Sequence, residues 1–290
     1  MTAYLLHDDN YQKGNFDLTL AAVGSGTSVT AFPEASNITD PREFNSTKIN
    51  WGSDSVNPLP YRNLDFIFTL NKTRAIDYVA FNKHNFNLVH PTIGSLYIAQ
   101  IQIIKWVQPA TYTSLDVYQI PQGGDNKNIV MKFDYNEFQA GESVIVRFKL
   151  WGFNRPQGGK NYGSSSLKCS YLQIGYSTQL RHLKAPLNIP IDSVYETKNL
   201  KSDRGLVIGT LSKEQPIPID LNLKNMDYTF IPKIINMTKD LPKNPFFIYD
   251  DSGTLPNIPF CWITKKMTSP KLNTNHLYDL RIKAQGKVYE

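Results

Sequence analysis

The feature that most constrains this chain is a succession of short runs rich in β-branched and aromatic residues, each closed by turn-forming residues, with no helical period sustained between them. The runs are Leu64-Asp-Phe-Ile-Phe-Thr-Leu, Ile76-Asp-Tyr-Val-Ala-Phe, Ser95 to Val107, Ile129 to Phe133, Ser143 to Trp151 and Ser170 to Tyr176. Asn-Lys, Pro-Gln-Gly-Gly and Ala-Gly-Glu punctuate them. Strands of this kind bury one face and pair antiparallel across short loops, so the expected fold is an all-β sandwich.

A length of 290 residues allows two domains or one large all-β unit. Residues 1–50 are read as an N-terminal segment, with 21–50 an extended arm rich in Gly, Ser, Thr, Asn and Pro. Residues 51–190 are the sandwich. The Pro186-Leu-Asn-Ile-Pro190 stretch cannot serve a central strand and places a boundary near residue 190. Residues 191–290 form a second, smaller β-rich domain, with runs at Gly205 to Leu211, Pro216 to Leu223, Tyr228 to Ile235, Phe246 to Tyr249, Phe260 to Thr264 and Leu277 to Lys283. One short helix fits between 224 and 240, and no repeat is present.

Composition excludes several classes. With 41% apolar and 19% charged residues the chain is neither disordered nor a coiled coil. The net charge of +6 is scattered, without the runs of about five basic residues that mark a nucleic-acid arm, so no nucleic acid is expected as partner. No stretch approaches the ~18 apolar residues of a spanning helix, and the start lacks a basic, apolar leader, so the reading is a cytosolic product without membrane insertion. Cys169 and Cys261 are far apart and isolated, which suits reduced, buried thiols. Asn37, Asn45, Asn71 and Asn236 head N-x-Ser/Thr triplets, attributed to the abundance of Asn.

Catalytic spacings are missing: there is no G-x-S-x-G, H-E-x-x-H, Walker loop or G-x-G-x-x-G. His7, His84, His90, His182 and His276 supply no common metal geometry, and Asp250-Asp251 before Ser-Gly-Thr reads as a turn. No enzyme activity, metal or cofactor is expected. Trp106 and Trp151, inside strand-like runs, are read as packing residues. Trp51, Tyr61 and Tyr112, at run edges or in loops, are the candidates for touching a partner, together with His84 and Asn85 in the polar stretch after a strand, where capping is the competing role.

Trp51-Gly-Ser-Asp-Ser, the Leu64 run and Ile76-Asp-Tyr-Val-Ala-Phe-Asn-Lys-His-Asn-Phe resemble, in that order, the opening of a discoidin (F5/8 type C) galactose-binding-like domain, in particular the version in bacteriophage tail and baseplate proteins. Asp203-Arg-Gly-Leu-Val-Ile-Gly209, Pro245-Phe-Phe-Ile-Tyr-Asp-Asp and Pro259-Phe-Cys-Trp262 are similar to the second half of such proteins. The resemblance implies a galactose-binding-like jelly-roll sandwich in a virion tail, made in the host cytoplasm, whose partners are copies of itself and other tail or baseplate proteins. Alternatives are a carbohydrate-binding module for host surface glycans, a capsid decoration protein and a glycan-cleaving enzyme, the last requiring two carboxylates across a cleft.

Overall fold

The structure is a computed structural model of the 290-residue chain. It describes residues 3–7, 16–23, 47–49, 61–84, 86, 96–109, 111–120, 127–152, 167–180, 194–201, 207–230, 232, 245–251, 258–264 and 270–287. These hold eighteen strands. In chain order they are β1 (Ala3–His7), β2 (Phe16–Val23), β3 (Thr47–Ile49), β4 (Tyr61–Leu70), β5 (Arg74–His84) and β6 (Leu96–Val107). There follow β7 (Thr111–Gln119), β8 (Ile129–Phe138), β9 (Ser143–Gly152), β10 (Leu167–Gly175), β11 (Ser177–Gln179) and β12 (Val194–Lys201). The last are β13 (Val207–Gln215), β14 (Ile217–Met226), β15 (Phe246–Asp250), β16 (Phe260–Ile263), β17 (Lys271–Leu272) and β18 (Tyr278–Lys287).

The chain divides into two compact units, one of Met1–His7 and Thr178–Val288, the other of Asp8–Ser177 and Tyr289–Glu290. The larger unit is a two-sheet sandwich: a five-stranded sheet in the order β2-β4-β9-β6-β7 and a four-stranded sheet in the order β3-β10-β5-β8. Every pairing between these strands is antiparallel. Alternation decides what lies between the sheets. Leu64, Phe66 and Phe68 of β4, Val144, Val146 and Phe148 of β9, and Ile101 and Ile103 of β6 meet Val79 and Phe81 of β5 and Leu172 and Ile174 of β10 in one core. Phe148 stands edge-on to Phe66 and Phe86 at 5.4 Å and tilts steeply to Phe81 at 5.8 Å, the geometry that the ring quadrupole favours. Gly141, at φ +87°, lets the β8–β9 turn close, and its N–H donates to the Leu70 carbonyl at 2.8 Å, tying the turn to the end of β4.

The smaller unit is built on the sheet β11-β1-β15-β16-β18-β14, with β17 added beside β18, and on a separate two-stranded ribbon of β12 and β13. In β14, Ile217, Ile219, Leu221 and Leu223 are buried while Pro218 and Asp220 are exposed; on the facing β18, Leu280, Ile282 and Ala284 are buried. Gly286 is opposite Ile217 on one side and Cys261 on the other. A Cβ there would lie 2.6 Å from Ile219 Cδ1 and 3.2 Å from Cys261 Sγ, so any larger residue requires the Ile219 side chain to move.

The all-β expectation holds, and the division of the chain differs from the one expected. Ala3–His7, expected in an N-terminal segment, pairs with β15, Ala3 opposite Asp250 and His7 opposite Phe246, and so belongs with the C-terminal unit. The expected N-terminal segment yields Phe16–Val23 to the sandwich, where Phe16 pairs with Leu70 and Val23 with Asn63, so that only the last three residues of this strand come from the expected arm of 21–50. The units part between Ser177 and Thr178 rather than near 190, because β11 joins the smaller unit's sheet. Residues 228–230, the start of the strand expected over Tyr228 to Ile235, form a turn in which the Phe230 N–H donates to the Asp227 backbone carbonyl at 3.2 Å and to its carboxylate at 3.0 Å. Apart from residue 232, residues 231–240 of the expected helix region lie outside the described residues.

Candidate functional site

The outward face of the five-stranded sheet brings aromatic, hydroxyl, amide and guanidinium groups together and is open to solvent at β7. Because Ile101 and Ile103 point into the core, the pleat sends Gln102, Ile104 and Trp106 outward. The registers then define three rows across β4, β9, β6 and β7. The first is Thr69, Ser143, Trp106 and Tyr112; the second Ile67, Ile145, Ile104 and Ser114; the third Asp65, Arg147, Gln102 and Val117. Solvent reaches this face from the β7 side, where Tyr112 is 57% and Val117 43% exposed, whereas Ile104 and Ile145 beneath are buried.

Two pairings organise it. The Tyr112 ring is stacked on Trp106, with centroids 6.0 Å apart and planes 8° from parallel. Trp106 is half-buried and its Nε1 is inaccessible, with no hydrogen-bond partner among the described residues. In the third row Arg147 clasps Asp65 with both prongs, Nε to Oδ1 at 2.8 Å and the terminal nitrogen to Oδ2 at 2.7 Å. The Asp65 hydrogen bond raises the Arg147 pKa further, burial opposes this, and the Asp65 charge and the nearby Tyr112 phenol add to it. Gln102 Nε2 donates to Ser114 Oγ at 3.0 Å, and Thr69 and Ser143 hydroxyls are bonded at 2.9 Å. The result is an aromatic shelf beside hydroxyl, amide and guanidinium groups already held in place.

Of the residues singled out in the sequence, Tyr112 falls in this site, on strand β7 rather than in a loop. Trp106, read as a packing residue, is outward and shares it. The pleat parity counted from Ile101 and Ile103 is the sequence signal that marks Trp106 as outward. His84 is elsewhere: it ends β5, only 5% exposed, with its ring stacked on Phe86 at 4.3 Å. Its Nδ1 accepts the Phe86 N–H at 3.2 Å, so Nε2 carries the proton and donates to the Lys127 carbonyl at 2.7 Å. Burial lowers its pKa to about 4, against the backbone bond that raises it. His84 therefore caps backbone groups as a neutral ring. Tyr61 is the first residue of β4; its side chain, with Trp51 and Asn85, lies outside the described residues, as does the side chain of Trp151.

Several other polar groups among the described residues are buried. Asn82 and Gln173 share the outer face of the four-stranded sheet and have no hydrogen-bond partner among the described residues, yet both are fully buried. Asp250 ends β15 and is buried, while Asp251 follows in a turn. No group of three or more His, Cys, Asp or Glu among the described residues is placed to hold a metal. No helix among the described residues is long and apolar enough to cross a membrane.

No family model matches the chain, and no curated protein matches it. Solved structures similar to it include a CBM32 domain of Clostridium perfringens in complex with GalNAc-β-1,3-galactose, at 12% identity over 57% of this chain and 97% of that one, TM-score 0.33. Others are a chitosan-binding module from a chitosanase/glucanase of Paenibacillus sp. IK-5, at 13% identity over 55% and 94%, TM-score 0.32, and the Streptococcus pneumoniae β-galactosidase BgaA, at 11% identity over 57% and 93%, TM-score 0.34.

Proposed function

We propose that this chain is a non-catalytic recognition protein whose sandwich unit binds a carbohydrate on the outward face of the five-stranded sheet. One observation carries the reading: Tyr112, more than half exposed, is stacked parallel to Trp106 at the open edge of the face that also carries Ser114, Gln102 and Arg147. A pyranose presents an apolar face of C–H groups and a rim of hydroxyls. The face stacks on Tyr112, at little entropic cost because Trp106 already orients the ring, and the rim meets Gln102, Ser114 and Arg147. Nothing in this role calls for a nucleophile or a proton donor. The test is a glycan array probed with the full chain and with Tyr112→Ala: the reading expects saturable binding to a defined set of glycans and its loss in the variant.

A second reading, a subunit of a larger assembly, is favoured by the β12–β13 ribbon, which lies outside both sandwich sheets and the larger sheet of its own unit. The identity of that assembly as a phage tail or baseplate, with the chain ending in the virion, rests on the sequence resemblance alone.

A further inference from the structure

The β12–β13 ribbon is an unusual structure to leave by itself. Its two strands pair antiparallel over eight register positions, from Val194 opposite Gln215 to Lys201 opposite Val207. Among the described residues neither strand pairs with a third, so each presents to them one edge of backbone N–H and C=O groups. β13 is anchored, since Pro216 alone separates it from β14, which pairs with β18 in the larger sheet. A two-stranded ribbon alone is marginal in water.

The residue order of β12, Val-Tyr-Glu-Thr-Lys-Asn-Leu-Lys, is self-complementary when read antiparallel about Thr197. Placed against a second copy with Thr197 opposite Thr197, it sets Glu196 opposite Lys198, Lys198 opposite Glu196, Val194 opposite Leu200, and Tyr195 opposite Asn199. Opposite charges and apolar residues therefore coincide at symmetry-related positions, which an isologous two-fold contact requires. β13 has no such property: about Leu211 it would set Gly209 opposite Lys213 and Ile208 opposite Glu214. From this complementarity we infer that β12 is a self-association edge, and that two copies of the chain join through it into a continuous four-stranded sheet, β13-β12 of one copy followed by β12-β13 of the other. The inference stands apart from the carbohydrate reading, since it uses no residue of the sandwich unit.

The experiment is sedimentation velocity on the full chain over a wide concentration range, with charge variants checked for unchanged circular dichroism. The wild type is expected to pass from monomer to dimer. Lys198→Glu places Glu against Glu twice per dimer and is expected to weaken association roughly tenfold or more. Glu196→Lys has the same effect on itself, and an equimolar mixture of the two variants restores dimers because Lys then faces Glu at both positions. Glu196→Lys also puts Lys opposite Lys213 within its own ribbon, so a third variant avoids charge altogether. Thr197→Cys places a thiol at the two-fold axis, and because Cys169 and Cys261 are both buried, mild oxidation should yield one disulfide-linked dimer through that position. A wild type that stays monomeric throughout, a dimer indifferent to Lys198→Glu, or a Thr197→Cys chain that does not cross-link would overturn the inference.

Discussion

The rings of Trp106 and Tyr112 lie 6.0 Å apart and 8° from parallel, at a cross-strand pair next to the turn that joins β6 to β7. Trp106 supplies the fixed half of the pair and Tyr112 the exposed half. The same parity of β6 that sends Trp106 outward sends Gln102 outward, so aromatic and polar ends of one face are set by a single strand. The consequences for stability and chemistry can be measured separately.

Arg147 and Asp65 are unequal partners. The Asp65 side chain is 3% exposed and that of Arg147 21%. Removing the guanidinium leaves a buried carboxylate with no countercharge, whereas removing the carboxylate leaves an arginine that water partly reaches. Arg147→Ala is expected to cost about 3 to 5 kcal/mol and Asp65→Ala roughly 2 kcal/mol. Urea unfolding of the two variants checks the order, and equal losses would contradict this account of the pair.

His84 makes stability depend on pH. Its pKa falls from 6.5 to about 4 on folding, first because burial penalises the imidazolium. Between those values the unfolded chain binds a proton that the folded chain does not. The contribution is therefore complete above the unfolded value and is lost as pH falls from 6.5 toward 4, by about 3 kcal/mol in total. Denaturant midpoints at several pH values for the wild type and His84→Gln isolate it: the variant's curve should be flatter across this window.

Both thiols should be inert in the native protein. Burial pushes Cys169 up to about 12, against a backbone hydrogen bond from Tyr171 that lowers it, and raises Cys261 well above its ordinary value. The thiolate is the reactive form. A disulfide reagent at mildly alkaline pH is expected to react with neither cysteine until denaturant is added, and then with both; prompt reaction of the native chain would show that one is accessible.

The sequence made the strands of the sandwich core legible because burial on one side imposes alternation: the runs around Leu64, Ile76 and Ser143 each fall within a strand. Strands exposed on an edge were harder to see. β7, Thr-Tyr-Thr-Ser-Leu-Asp-Val-Tyr-Gln, places its first four residues in solvent and so lacks the apolar half of the pattern. β12, Val-Tyr-Glu-Thr-Lys-Asn-Leu-Lys, is likewise rich in polar residues. β1 was hidden for another reason: its partner β15 lies at the far end of the chain, and local pattern carries no information about so distant a pairing. The place of Trp106 inside a strand-like run points to packing, whereas the phase set by Ile101 and Ile103 turns it outward.

The central claim is that Tyr112 is the contact surface for a sugar ring. Isothermal titration of the full chain with the strongest glycan from an array, run in parallel on Tyr112→Ala and Tyr112→Phe, tests it most directly. The account predicts saturable binding by the wild type, at least a tenfold loss in Tyr112→Ala, worth roughly 1.4 kcal/mol, and retention in Tyr112→Phe, with all three proteins unfolding at similar denaturant concentrations. Wild-type affinity unchanged by Tyr112→Ala, or no glycan bound by the wild type, would contradict it.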